Sequence, residues 1–140
     1  MSSTVARVGD EKKAQWLAGL LTVGAALETI AGAGFIFYPR GSYVLLSAAV
    51  NPAGEFVARL AGGGLLGLAI ACWFARKTPL APGSLGASWG LLAYNVVGCV
   101  TLAVAAAGLS NGAPVTVFGA FTHGALAVAQ LRVLLSLRGQ

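Results

Sequence analysis

The sequence is poor in charged residues and in the side chains that most often bind metals. Of its 140 residues 9% are charged, two are cysteine and one is histidine, whereas 57% are hydrophobic. A soluble domain carries about 25% charged residues, so this composition excludes an ordinary soluble fold. One histidine and two separated cysteines also make a poor ligand set for a metal. We therefore expect no metal and no cofactor.

The chain also lacks the short motifs of many cofactor-dependent and hydrolytic enzymes. It has no phosphate-binding loop, no dinucleotide fingerprint and no nucleophile elbow. It has no Cys-x-x-Cys pair, which argues against a membrane thiol oxidoreductase. Aromatic and basic residues are not interleaved as they are in a nucleic-acid-binding surface, so we expect no nucleic-acid partner.

What the sequence does contain is four long apolar stretches. Each exceeds the ~20 residues of helix that cross the hydrocarbon core of a bilayer, and together they use most of the chain. We predict an all-α fold in a single domain over residues 1–140, an up-down-up-down bundle of transmembrane helices at 14–38, 52–75, 84–109 and 114–137. The lipid bilayer is then the first partner of this integral membrane protein.

The segments between these stretches differ in length. Thr78 to Gly83 and Ser110 to Ala113 are tight connections, which force neighbouring helices to be antiparallel. Residues 39–51 are different, because their core from Tyr43 to Val50 is too short to span and too apolar for a solvated loop. We predict a short interfacial segment here, with a lid over the mouth of the bundle as the alternative.

Basic residues are unevenly distributed about the predicted spans. Arg40 lies alone in a loop on one side, whereas seven residues share the other side if the spans alternate: Arg7, Lys12, Lys13, Arg76, Lys77, Arg132 and Arg138. Cytoplasmic segments of membrane proteins carry an excess of lysine and arginine. We therefore predict that both termini are cytoplasmic.

Each apolar stretch carries one polar or ionisable residue near its middle, namely Glu28, Arg59, Asn95 and His123. A charge in hydrocarbon costs about 2.5 to 3.5 kcal/mol on insertion scales, so such residues usually face a partner or a water-filled cavity. With ~1.5 Å of rise per helical residue, the four fall near one layer in the non-cytoplasmic half. The sequence thus predicts a polar site inside the bundle.

We predict that Glu28, Arg59 and His123 are the candidate catalytic residues of this site. Glu28 can act as a base or as a proton donor, depending on where the Arg59 guanidinium points. His123 can relay protons near neutral pH. The candidate ligand-binding residues are Glu55, Tyr94, Asn95 and Thr116.

The same residues also have structural interpretations. Glu28 and Arg59 can form a buried ion pair that fixes helix register, and Glu55 can instead pair with Arg59 along one helix. Asn95 can be an interhelical hydrogen-bonding residue. His123 can equally be a hydrogen-bonded packing residue.

Three segments resemble the DoxX-like group of small four-helix membrane proteins. They are Arg59 to Ala69 with its run of glycines, Tyr94-Asn95, and His123 to Ala127. The resemblance implies a four-helix bundle and, in some relatives, association with membrane redox enzymes or quinones. It implies no catalytic signature at these positions.

Two functions remain open at this point. In the first, the polar pocket binds or transforms a small lipophilic molecule of quinone-, isoprenoid- or polyketide-like type, by acid/base isomerase, cyclase or ring-opening chemistry. The alternative is a non-catalytic subunit or assembly factor of a larger membrane redox complex. A homo-oligomer is compatible with either function, and the sequence does not decide whether the protein is an enzyme.

Overall fold

The computed structural model describes residues 2–46, 51–108 and 114–138. The predicted fold class is confirmed: four long helices, each apolar and long enough to cross a membrane, form the bundle, with a short helix between the first two. Within these ranges the structure has five helices: α1 (Ser2–Phe37), α2 (Pro39–Leu45), α3 (Pro52–Ala75), α4 (Pro82–Gly108) and α5 (Pro114–Arg138). The connection predicted at 110–113 lies outside the described residues.

Local sequence explains where the helices begin. Proline occupies the first position of α2, α3, α4 and α5, where its missing N–H is one that a helix leaves unbonded anyway. Before α3, the Asn51 side chain accepts a hydrogen bond from the Gly54 N–H at 2.8 Å and so caps the helix. α1 is longer than the span predicted at 14–38, because its helix already starts at Ser2.

The long helices pack as two pairs, α1 with α3 and α4 with α5, and the pairs meet chiefly through α3 and α4. α1 and α3 approach each other closely at two glycines. A Cβ placed on Gly62 would lie 2.7 Å from the Gly32 carbonyl oxygen, and one on Gly32 would lie 2.9 Å from the Gly62 carbonyl oxygen. Only a residue without a side chain allows this backbone contact.

Gly62→Ala is therefore expected to lower the melting temperature of the purified protein in detergent. The added methyl group would also lie 2.9 Å from Ile36 Cγ1, and overpacking of this kind costs about 1–3 kcal/mol. Gly63→Ala is the matched control, since a Cβ there meets nothing within 4 Å. It should keep or slightly raise the melting temperature. Equal melting temperatures for the two variants would contradict the close α1–α3 crossing.

The two ends of the bundle differ in packing. The end that holds the start of α1, the α3–α4 connection and the end of α5 is called the termini end. There Lys13 Nζ donates to the Ser136 carbonyl oxygen at 2.9 Å and joins α1 to α5. Towards this end the core is a cluster of buried apolar residues from all four long helices: Leu17, Leu21, Ala25, Cys72, Ala75, Leu91, Leu92, Ala127 and Leu134.

The opposite end, called the α2 end, carries the short helix on top of the α1–α3 pair. Arg40 Nε donates to Glu55 Oε1 at 2.6 Å, and the Tyr43 hydroxyl donates to the Gly54 carbonyl oxygen at 3.4 Å. The rings of Phe35 and Tyr43 meet edge to face at 6.4 Å. These contacts tie the predicted interfacial segment to α1 and α3. Residues 47–50 lie outside the described part of the chain.

Candidate functional site

A cavity of about 310 Å³ lies between α1 and α5, with one lining residue from α4. Its polar lining includes Glu28 of α1, His123 of α5 and Tyr94 of α4. Glu28 is only 2% exposed, whereas Ile30 and Phe118 on the lining are each 71% exposed. The carboxyl group is therefore deep in the cavity, and the apolar side chains form its outer rim. The remaining lining residues are Leu27, Ala31, Val115, Gly119 and Thr122.

Glu28 is a buried carboxyl group without a cationic partner in the described part of the chain. Two ion pairs are found among those residues, Lys13 with Asp10 and Arg40 with Glu55. The Glu28 carboxyl group instead has the Tyr94 hydroxyl as its nearest polar partner, close enough to interact with it electrostatically. A carboxyl–phenol pair of this kind can share, donate or accept a proton at the cavity wall.

The His123 ring is held on the cavity wall by α4. Its Nδ1 lies 2.7 Å from Asn95 Oδ1. The Tyr94 and His123 rings pack edge to face, with their centroids 5.4 Å apart and their planes at 79°. Gly98 makes room for the imidazole, because a Cβ there would lie 3.2 Å from the ring. With Nδ1 occupied by Asn95, Nε2 is the ring nitrogen left to meet a ligand.

Behind His123 a chain of hydrogen bonds runs through the interface of α4 and α5. Asn95 Nδ2 donates to Gln130 Oε1 at 3.3 Å, and Gln130 Nε2 donates to the Ser88 carbonyl oxygen at 3.2 Å. The Ser88 hydroxyl donates to the Ser84 carbonyl oxygen in its own helix at 2.9 Å. Residues seven apart share a helix face, which is why Ser88 lies beneath Asn95 and Gln130 beneath His123. Asn95 and Gln130 are each 1% exposed.

The structure thus brings together several of the predicted site residues. Glu28, Tyr94 and His123 line one cavity, and Asn95 lies directly behind the imidazole. Thr116 is buried in α5 but is not a lining residue of the cavity.

Arg59 and Glu55 lie elsewhere. The Arg59 side chain is exposed and its Nε donates to the Ile36 carbonyl oxygen at 3.3 Å, while Glu55 pairs with Arg40. Neither of the ion pairs considered for Arg59, with Glu28 or with Glu55, is present among the described residues. Helix phase explains the exposure of Arg59: the buried face of α3 runs through Ala58, Gly62, Leu65 and Ala69, and Arg59 is turned about 100° away from Ala58 around the helix.

Some residues of the site were not predicted from the sequence. Gly98 follows Asn95 by three residues and so shares its helix face, which is a signal that the spacing did contain. Phe118 and Thr122 line the cavity without any distinguishing pattern, because they are ordinary members of an apolar stretch. The Arg40–Glu55 pair joins residues of two helices whose relative placement the sequence does not reveal.

Two further findings concern metal ligands and similarity to known proteins. Within the part of the chain that the structure describes, no group of three or more His, Cys, Asp or Glu side chains is close enough to hold a metal ion. No family model, curated protein or solved structure matches this chain. The cavity between α1 and α5 is therefore the feature of the molecule that bears on its function.

Proposed function

We propose that the protein is a membrane-embedded acid/base isomerase that binds a small lipophilic molecule. The observation that carries the proposal is that Glu28, Tyr94 and His123 meet on the wall of one cavity whose other lining is mainly apolar. Ionisable residues within membrane helices are costly and commonly mark functional sites. Ligand pockets typically combine apolar walls with a few converging polar groups.

The position of the cavity suits a ligand that arrives from the bilayer. α1 and α5 are joined at the termini end by the Lys13–Ser136 hydrogen bond, whereas the cavity separates them nearer the α2 end. The exposed rim side chains Ile30 and Phe118 lie on the apolar outer surface that lipid would cover. A lipophilic molecule can therefore enter sideways between the two helices without crossing water.

The reaction class that fits is the migration of a double bond next to a carbonyl group. The His123 imidazole removes a proton from a carbon of the ligand, and the electron pair of that C–H bond becomes a new C=C bond. The carbonyl oxygen meanwhile takes a proton from the Glu28–Tyr94 pair. The imidazolium then returns its proton to a different carbon, and the oxygen returns its proton to the pair, so no co-reactant is consumed. Quinone-, isoprenoid- and polyketide-like molecules include such ligands.

We also propose a fold family for the protein and an orientation in the membrane. A four-helix bundle is what the resemblance to DoxX-like proteins implies, and we place the protein in that group at the level of fold. The excess of basic residues at the termini end supports a cytoplasmic location for both termini. The cavity then opens in the non-cytoplasmic half of the membrane.

Thiol labelling tests this orientation. In a variant with both native cysteines replaced by alanine, single cysteines at Ser42 and Asn111 should react with a membrane-impermeant reagent added to intact cells. Cysteines at Ser2 and Gln140 should react only after permeabilisation. Labelling of the Ser2 variant in intact cells would overturn the orientation.

Filling the cavity tests the proposed binding. Wild-type protein purified in mild detergent is expected to release a lipophilic molecule on organic extraction, detected by mass spectrometry. Ala31→Phe places a ring in the cavity and should lose most of that molecule. Ala26→Phe is the matched control, because it adds the same ring to α1 in the neighbouring groove against α3, which Glu28, Tyr94 and His123 do not line.

The two variants separate the alternatives. Loss from the Ala26 variant alone would place the lipophile in the α1–α3 groove and would contradict the proposal. An unchanged extract from both variants, together with a copurifying membrane protein, would favour the non-catalytic subunit of a larger complex.

A further inference from the structure

The hydrogen-bond chain behind His123 ends at the Ser88 backbone carbonyl group, which can act only as an acceptor. A backbone carbonyl can accept hydrogen bonds but cannot donate them. Gln130 Nε2 lies 3.2 Å from the Ser88 carbonyl oxygen, so the Gln130 amide must turn its NH₂ group towards Ser88. Its Oε1 then points the other way, towards Asn95.

The same reasoning fixes the orientation of the Asn95 amide and the position of the His123 proton. Because Gln130 Oε1 can only accept, the Asn95 group that lies 3.3 Å from it must be the NH₂ group. Asn95 Oδ1 therefore faces His123 Nδ1 at 2.7 Å, and that nitrogen must carry the hydrogen. Reversing both amides would bring Gln130 Oε1 against the Ser88 carbonyl oxygen, and reversing Asn95 alone would bring its oxygen against that of Gln130. Asn95 and Gln130 are almost completely buried, so water is not available to relieve such a clash.

We infer that Gln130 is a positioning residue that sets the tautomer of His123. The neutral imidazole then carries its proton on Nδ1. Nε2, with its lone pair, is the nitrogen available to a ligand. On the proposed function, which this inference deepens, His123 is the base that takes the proton from carbon. The Glu28–Tyr94 pair is then the side that gives a proton to oxygen.

A merely structural role for Gln130 would be to hold α5 against α4. Such a role predicts that removing the amide lowers stability, but it does not predict any effect on where the His123 proton lies. The position of that proton is therefore the readout that separates the two roles. It can be measured without ligand and without activity.

The experiment uses protein labelled with ¹⁵N-histidine in nanodiscs. The chain contains a single histidine, so every ring-nitrogen signal comes from His123. At a pH where the ring is neutral, wild type is expected to show a protonated Nδ1 and an unprotonated Nε2. Gln130→Met keeps a side chain of similar size but has no N–H for the Ser88 carbonyl oxygen, so Asn95 can rotate and signals of both tautomers should appear.

Ser88→Ala is the matched control. It removes the Ser88 hydroxyl, which bonds within its own helix to Ser84, but keeps the backbone carbonyl that Gln130 uses. The variant should keep the single wild-type tautomer.

Three results would overturn the inference. They are a wild-type proton on Nε2, an unchanged tautomer in Gln130→Met, and a tautomer mixture in Ser88→Ala equal to that in Gln130→Met. The wild-type spectrum decides the first of these even if Gln130→Met does not fold. Because the readout needs no substrate, a correct tautomer in a protein that transfers no protons would contradict the proposed function and leave the positioning role of Gln130 intact.

Discussion

Glu28→Gln is expected to lower the rate of proton transfer on the bound lipophile by about 100-fold or more, the usual contribution of a positioned acid or base. The glutamine has nearly the same size and can still interact with the Tyr94 hydroxyl, so the fold should be kept. It cannot exchange a proton, however, and the Glu28–Tyr94 pair loses its chemical role. The measurement is the uptake of solvent deuterium into the extracted lipophile in D₂O, followed by mass spectrometry.

Arg59→Gln is the control for this prediction. Arg59 is an intramembrane ionisable residue as well, but its side chain is exposed and bonds to the Ile36 carbonyl oxygen outside the cavity. Its replacement should leave the rate within about twofold of wild type, because surface substitutions usually change little. Equal losses in Glu28→Gln and Arg59→Gln would return Arg59 to the site and contradict the geometry of the cavity.

Asn95→Leu is expected to destabilise the protein by at least ~2 kcal/mol. The change leaves His123 Nδ1 and Gln130 Oε1 without the partners that they have at 2.7 and 3.3 Å. Each buried polar group without a partner costs about 1–3 kcal/mol. Hydrogen bonds between membrane helices average ~0.6 kcal/mol in double-mutant cycles. We expect a larger loss here because one substitution removes two bonds and puts leucine against two polar groups. The measurement is reversible unfolding in mixed detergent micelles.

Two further variants show whether the loss of stability in Asn95→Leu comes from the hydrogen-bond chain. Thr101→Leu places the same leucine at an exposed polar position of α4 and should change stability by less than ~0.5 kcal/mol. Asn95→Leu combined with Gln130→Leu should be less destabilised than the sum of the single changes, because each removes a partner of the other. Additive losses would mean that Asn95 and Gln130 do not interact.

The fold could be predicted from the sequence because it depends on properties that each helix carries alone. A run of apolar residues long enough to span a bilayer needs no neighbour to identify it. Proline marks helix starts for the same reason, as at Pro52 and Pro114. The short helix α2 was predicted only as an interfacial segment, since seven residues give no clear periodicity.

The depth of the candidate site in the bundle could be predicted from the sequence, but the set of residues that form it could not. The helical rise places Glu28 and His123 at similar depths, and seven-residue spacing aligns His123 with Gln130, so these residues could be expected on inward faces. Arg59 could not be placed in the same way, because a long side chain near the edge of a helix face can turn either way. The direction of Arg59 follows from the Gly32–Gly62 contact, which turns the Gly62 face of α3 towards α1. The cavity itself arises from the gap between α1 and α5, and no periodicity within one helix encodes a gap between two.

Proton transfer in the cavity between α1 and α5 is tested most directly by an untargeted search for the reaction. Wild-type protein and the cavity-filled Ala31→Phe variant are reconstituted in nanodiscs and incubated in D₂O with an organic extract of membranes that contain the protein. We expect mass spectrometry to find a lipophile that gains carbon-bound deuterium with wild type and gains none above background with Ala31→Phe. If no lipophile gains deuterium with wild type, or if the gain is equal with both proteins, the cavity between α1 and α5 is not an acid/base site.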